Sequence, residues 1–157
     1  MAKFEITFDL DDLKRELSNI VEDINEGVEQ GLEACAKEIR EFEKTKIEQV
    51  TGKGQYIPTG QLKRSVAIIP LEWSPGLATI KIRPTVGYAK FVNNGTGVHS
   101  SDGQGKQDGW VYSPDGGNTF FFTLGMKPRY FVEDTYQYYK DKAPAIIEEE
   151  IYKCIRR

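Results

Sequence analysis

The side chains that could carry out chemistry are few and scattered along the chain. There is a single histidine, His99. The sequence therefore has no pair of histidines for a common metal site, and no second histidine besides the one that a serine-type triad would use as its base. The glycines at 52/54 and 95/97 resemble phosphate-binding loops only superficially, because no Gly-Lys-Ser/Thr ending follows them. Residues 102–108 lack the alternating oxygen ligands and closing glutamate of a calcium loop. We therefore expect a protein that is not an enzyme and holds no metal or cofactor.

Aromatic and basic side chains cluster between residues 106 and 129, and such a mixture can bind single-stranded nucleic acid. The aromatic members are Trp110, Tyr112, Phe120, Phe121 and Phe122, and the basic members are Lys106, Lys127 and Arg129. The aromatic and glycine patterns of the common single-strand-binding modules are absent. We interpret the cluster as core packing with a surface rim. A nucleic-acid-binding module that uses the basic middle third, residues 51–129, remains the alternative function.

The charge is unevenly distributed along the chain. The net charge of −3 is the sum of three parts. Residues 1–50 hold 14 acidic and 7 basic side chains, residues 51–129 hold 4 acidic and 9 basic ones, and residues 130–157 hold 6 acidic and 5 basic ones. An acidic first third against a basic middle third can orient neighbouring subunits or place one sign near a polyanion, although a solvated helix face would look the same.

The length of 157 residues, 39% of them hydrophobic, suits a single domain over residues 1–157. No apolar run is long enough to span a membrane, and residues 1–10 do not resemble a signal peptide. The two cysteines, Cys35 and Cys154, lie on apolar helical faces. We expect both to be buried free thiols in a reducing compartment.

The N-terminal third predicts a short strand over residues 4–8 and then one long amphipathic helix over residues 10–50, because its apolar residues recur every three or four positions. A straight helix of that length spans about 60 Å, whereas a compact domain of this size is about 40 Å across. Either the helix breaks at Gly27 or Gly31, or another copy of the protein covers its exposed stripe. We favour coverage by neighbouring subunits.

The rest of the sequence predicts a hairpin of residues 65–71 and 77–83 around a Pro-Gly turn, with Pro70 on an edge strand. Residues 93–118 hold seven glycines and predict a long flexible loop anchored by Trp110 and Tyr112. A short aromatic strand over 119–123 and a helix from Pro128 to about Ile155 complete the chain. Pro144 should kink or split this helix near Lys140, because proline removes a backbone donor. The fold class is α+β: a small antiparallel sheet packed by a long N-terminal and a C-terminal helix.

Three segments in order resemble the tail-component family of long-tailed bacteriophages, whose type member is the tenth gene product of a lambdoid coliphage. Residues 59–66 resemble a T-G-x-L-R-x-S-hydrophobic box, residues 88–97 resemble Y-A-x-x-V-E-x-G-T, and residues 123–132 resemble T-x-G-x-x-P-R-P-F-hydrophobic. The sequence departs from these boxes at Lys63, Asn93 and Tyr130, where the family favours Arg, Glu and Pro.

The resemblance implies a structural virion protein, a neck or tail-completion component that helps to join the tail to the DNA-filled head. It implies as partners other copies of the chain in a ring, head-closure or connector proteins, and tail-tube or tail-terminator proteins. It also implies contact with passing DNA, no membrane, and a place in the virion after assembly in the host cytoplasm. A tail terminator and a head-closure protein remain alternatives within this class.

We expect the three boxes to converge at the end of the sheet, with Arg129 binding backbone carbonyls of the 95–97 loop. The loop of residues 93–118 and the exposed stripe of the first helix are the surfaces that we expect to form the interface. The candidate interface and structural residues are Thr59, Gly60, Leu62, Tyr88, Val92, Gly95, Thr96, Gly97, Trp110, Thr123, Gly125, Pro128, Arg129 and Phe131.

Overall fold

A computed structural model of the chain describes residues 10–51 and 59–156. The predicted strand over residues 4–8 lies outside the described residues, as do the glycines at 52 and 54. Within them the order is α1 (Leu10–Thr51), α2 (Gln61–Arg64), β1 (Val66–Ser74), β2 (Leu77–Pro84), α3 (Ala89–Asn94), a 3₁₀ turn (Gly97–His99), β3 (Trp110–Tyr112), β4 (Phe121–Thr123), α4 (Phe131–Tyr139) and α5 (Ala143–Ile155). The α+β class predicted from the sequence is confirmed.

Helix α1 runs without a break for 42 residues, or about 63 Å at 1.5 Å a residue. The two glycines at which a break was considered are instead the places where α5 crosses it. A Cβ atom built on Gly27 would lie 2.5 Å from the Cα of Ile151, and one on Gly31 would lie 2.8 Å from the Cα of Ile147. The two helices run antiparallel with their backbones in close approach, which only glycine permits here.

Strands β1 and β2 form an antiparallel hairpin whose two-residue turn, Pro75-Gly76, confirms the predicted turn. Gly76 has a φ of 73°, the left-handed conformation that a type II turn requires at its third residue. The register shifts between Ile69 and Glu72, so Pro70 lies in an irregular part of the ladder. The N–H that proline lacks is therefore not needed for a regular hydrogen bond between the strands there.

The core joins the C-terminal end of α1 to the short elements that follow it. Its buried members come from α1, α2, β1, α3 and α4, respectively Ile47, Leu62, Val66, Ala89 and Phe131. All of them lie at one end of α1. The opposite end of α1 is therefore held only by what packs along the middle of the helix.

The C-terminal helix is divided as Pro144 predicted, into α4 and α5. Its predicted start at Pro128 is wrong, because α4 begins at Phe131 after Tyr130, which has a left-handed φ of 49°. The rings of Phe42 and Tyr138 stack at 4.3 Å and hold α4 against α1.

Both cysteines are buried free thiols, as expected. Burial raises the pKa of the Cys35 thiol, which keeps this thiol unreactive.

Glu43 is the exception to the apolar character of the buried face of α1. Only 3% of the residue is exposed, and its Oε1 atom has no hydrogen-bond partner among the described residues. Desolvation raises the pKa of Glu43 to about 7, because a carboxylate loses its hydration on burial while the neutral acid loses less.

We expect Gly27→Ala to destabilise the fold. An alanine normally stabilises a helix interior by about 1 kcal/mol relative to glycine, but here the new methyl group would collide with the backbone of α5, so a net loss of about 1–3 kcal/mol is expected. Urea unfolding measures the change. Gly87→Ala is the matched control, since its Cβ would meet nothing within 4 Å, and an equal response of both variants would contradict the close helix contact.

Glu43 should make stability fall as the pH rises. Below pH 4.5 the side chain is protonated in the folded and the unfolded chain, so there is no penalty; between pH 4.5 and 7 only the folded chain keeps the proton. Glu43→Gln should therefore gain about 2–3 kcal/mol on the native protein between pH 4.5 and pH 8. Unfolding free energies at both pH values test this, with the exposed Glu29→Gln as control; parallel pH profiles for the native protein and Glu43→Gln would refute it.

Candidate functional site

The first of the three boxes folds into the short helix α2. The Thr59 hydroxyl accepts a hydrogen bond from the Gln61 N–H at 3.3 Å, and the Thr59 carbonyl accepts one from the guanidinium of Arg64 at 3.1 Å. Gly60 precedes the helix with a φ of 73°. Leu62 is 7% exposed and enters the core, as predicted.

The second box forms α3, which begins after Tyr88 and ends at Gly95. Gly95 has a φ of 78°, and a Cβ there would lie 2.7 Å from the carbonyl oxygen of His99 and 2.8 Å from that of Met126. Glycine is thus required both by the backbone conformation and by the space. The Tyr88 hydroxyl lies 3.5 Å from Oε1 of Gln61, which brings the first two boxes together.

The third box pairs with the second along their backbones. The Thr96 N–H donates to the Met126 carbonyl, and the Met126 N–H donates to the Thr96 hydroxyl, both at 2.9 Å. Val98 donates in the same way to Leu124. Gly97 and Gly125 lie where these two segments touch, with no room for a Cβ on either. We call residues 93–98 and 123–132 the loop junction. The predicted convergence of the boxes is confirmed.

Asn93 holds the loop junction together although it stands where the family motif has an acid. It is 5% exposed, and its amide nitrogen donates to both carboxylate oxygens of Glu133, at 3.1 and 2.9 Å. Its side-chain oxygen accepts the Val132 N–H at 3.0 Å. That bond serves as the cap of α4, whose own N-cap residue provides none. A glutamate at position 93 would face the carboxylate of Glu133.

Arg129 contacts the second box through its backbone and not through its guanidinium, which corrects the sequence-based expectation. Its N–H donates to the carbonyls of Val92 and Asn93, at 3.2 and 3.0 Å. Pro128, which starts no helix, packs its Cδ against Gly95. Among the described residues the guanidinium of Arg129 has no hydrogen bond or ion pair.

The segment predicted as a loop, residues 93–118, is partly regular. It contains the 3₁₀ turn and strand β3, which pairs with β4 in the order Trp110↔Thr123, Val111↔Phe122 and Tyr112↔Phe121. Trp110 also lines an open cavity of about 360 Å³ between the loop and α3. Whether the remaining loop is flexible stays a prediction. We call residues 110–123 the aromatic ribbon.

The turn of the aromatic ribbon is closed by Asp115. Its carboxylate accepts hydrogen bonds from the Thr119 N–H at 2.8 Å, the Asn118 N–H at 3.1 Å and the Ser113 hydroxyl at 2.8 Å. These donors, those of Thr119 above all, hold the pKa of Asp115 well below its usual range. The turn at the tip of the ribbon is therefore held by hydrogen bonds to the Asp115 side chain.

Both faces of the aromatic ribbon carry exposed apolar side chains. Val111 is 61% exposed and Phe122, opposite it, 64% exposed. Tyr112 and Phe121 point to the other face, with ring centroids 5.9 Å apart. A two-stranded ribbon is barely stable alone, and uncovered apolar patches of this kind mark contact surfaces.

A second exposed apolar surface lies at the N-terminal end of α1. Its members, which we call the α1 stripe, are Leu13, Leu17, Ile20, Val21 and Ile24, between 36% and 56% exposed. The stripe lies on the same side of the helix as Gly27 and Val28, so it continues the face that α5 covers. The overhang that helix length predicted is thus present in the structure.

Most of the site was visible in the sequence, but Glu133 and Val111 were missed. Glu133 lies in the first turn of α4, where an acid is ordinary, so nothing in the sequence pointed to Asn93. Val111 could have been found from the alternation of residues 110–112 with 121–123.

No cluster of potential metal ligands occurs in residues 10–51 and 59–156. No helix of that part of the chain is long and apolar enough to cross a membrane.

The described residues thus form a small α+β arrangement with two exposed apolar surfaces, the α1 stripe and the aromatic ribbon. Comparison with protein families matches residues 11–95 to the family described as "Bacteriophage HK97-gp10, putative tail-component". The match covers more than half of the chain, so this chain belongs to that family of phage tail components and has its place in the virion. Comparisons with curated proteins and with solved structures each found no match.

We expect Asn93→Ala to destabilise the fold by about 1–3 kcal/mol, because it removes the cap of α4 and the bonds to Glu133. Asn93→Asp keeps the acceptor for Val132 but sets two carboxylates against each other, and adding Glu133→Gln should restore most of the loss. Urea unfolding of the two single variants and the double variant measures the coupling. Additive effects would show that the two side chains act independently.

Proposed function

We propose that this chain is a neck or tail-completion protein that joins the phage tail to the head by entering a ring. The observation that carries the proposal is the α1 stripe: five large apolar side chains remain exposed on a helix whose other end contributes Ile47 to the core. A monomer that keeps such a surface bare gains by docking onto a neighbour. Membership of a phage tail-component family supports a neighbour that is itself a virion protein.

The aromatic ribbon and the loop junction support the same role. They provide a second contact surface at the other end of α1, so that one chain can touch two partners at once. Ring assembly needs such a pair of surfaces, whether the second partner is another copy or a component of head or tail. The function requires no catalysis, cofactor or metal.

Light scattering should give a larger particle mass when the chain is mixed with the head-closure or the tail-tube protein encoded beside it. A mixture with the major capsid protein serves as control. A chain that stays monomeric with both neck partners would refute the proposal. The variant Leu17→Glu tests the surface itself. Leu17 is already 53% exposed in the isolated fold, so the variant should fold. It should abolish the mass increase, because docking would bury the new carboxylate.

Contact with DNA passing through the neck is the second candidate, favoured by the exposed rings of Phe120 and Phe122 near Lys127. Stacking on aromatic rings beside cations binds single strands. A gel shift with single-stranded and double-stranded DNA that weakens steeply with salt would support it. A chain with no shift at low salt would leave only the structural role.

A further inference from the structure

The two exposed apolar surfaces lie at opposite ends of one rigid helix. The loop junction, from which the aromatic ribbon extends, is joined to the core through Phe131 and Ala89, and this core includes Ile47 of α1. Leu17 of the α1 stripe precedes Ile47 by 30 residues of unbroken helix, or about 45 Å. The substantial packing partners of α1 are α5, α4, β2, β1 and α2, and neither strand of the ribbon is among them. The stripe and the ribbon of one chain therefore leave each other uncovered.

The charges beside the two surfaces differ. Residues 10–26, which carry the α1 stripe, hold six acidic and two basic side chains. Between the end of β4 and the start of α4 the sequence has Lys127 and Arg129 and no acid. Asp115 in the ribbon's tip is already surrounded by its own donors, and Asp108 before β3 is offset by Lys106 two residues earlier.

This distribution disfavours a contact between two α1 stripes. Such a symmetric contact would bring two segments of net charge −4 together, whereas a stripe against the ribbon of another copy places acids beside Lys127 and Arg129. The ribbon also has apolar area for such a contact. At about 200 Å² a ring, its four exposed rings (Tyr112, Phe120, Phe121 and Phe122, 46% to 68% exposed) present roughly 450 Å² over both faces together. One face alone therefore supplies roughly a quarter of the ~800 Å² that a stable interface takes from each partner.

We propose that the aromatic ribbon of one copy packs on the α1 stripe of the next, in a head-to-tail contact between copies of this chain. Each copy then gives its ribbon to one neighbour and its stripe to the other. A contact of this type repeats, and it closes into a ring when the rotation between copies allows closure. The closure rests on the ring role proposed above; the contact between two copies does not.

Photocrosslinking identifies what covers the stripe. The full-length chain carries p-benzoylphenylalanine at Leu17, and nitrogen-14 and nitrogen-15 preparations are mixed, irradiated over a concentration series and analysed by mass spectrometry. Isotopically mixed crosslinks from position 17 to residues 110–123 are expected. The same label at Asn19, an exposed position on the opposite side of the helix, should crosslink far less. Phe122→Ser in the partner copy should lower the yield about tenfold.

Every other outcome overturns the proposal. Mixed crosslinks between positions 17 and the α1 stripe of a second copy would show a symmetric contact. Crosslinks confined to one isotope, for example to residues 1–9, would show that the chain covers its own stripe. An absence of crosslinks up to the solubility limit would show that a second copy is not the occupant.

The neck role and the head-to-tail contact fail in different experiments. Loss of binding to head-closure and tail-tube proteins with intact crosslinks would refute the neck role and leave the contact standing. Binding to those proteins without crosslinks between copies would do the reverse.

Discussion

The close backbone contact between α1 and α5 at Gly27 and Gly31 determines how much of the long helix this chain can cover for itself. Because the two backbones nearly touch, α5 packs closely against the middle of α1. Helix α5 ends at Ile155, about one turn after Ile151. N-terminal to that crossing the side chains of the α1 stripe stay between 36% and 56% exposed. The exposed stripe is therefore a direct result of where the two glycines lie.

The other end of the molecule depends on hydrogen bonds more than on apolar packing. The core there is small, and the segments around it contain many glycines that contribute no side chain. The backbone bonds between Thr96 and Met126 and the side chain of Asn93 supply the order that packing does not. Buried polar groups of this kind stabilise a fold only when all their partners are present, and Asn93 meets that condition.

The sequence predicted the elements with strong periodicity and missed those decided by contacts between distant segments. The apolar spacing of α1 and the position of Pro144 were sufficient to place the helices. The glycines in α1 could be read as a break or as a contact, and only the position of α5 decides between them. Pro128 fitted a helix start by its type, yet the carbonyls of Val92 and Asn93 take the N–H groups that follow it. The pairing of β3 with β4 was hidden by the glycines around it.

An unbroken helix between two exposed apolar surfaces also sets the distance between them. Each residue added to or removed from α1 between Ile24 and Ile47 would move the stripe by about 1.5 Å and turn it by about 100° around the axis. Only insertions close to whole numbers of turns, such as seven or eighteen residues, would leave the stripe facing the same way. The length of α1 thus fixes both the spacing and the angle between whatever its two ends touch, and so the geometry of any assembly built from it.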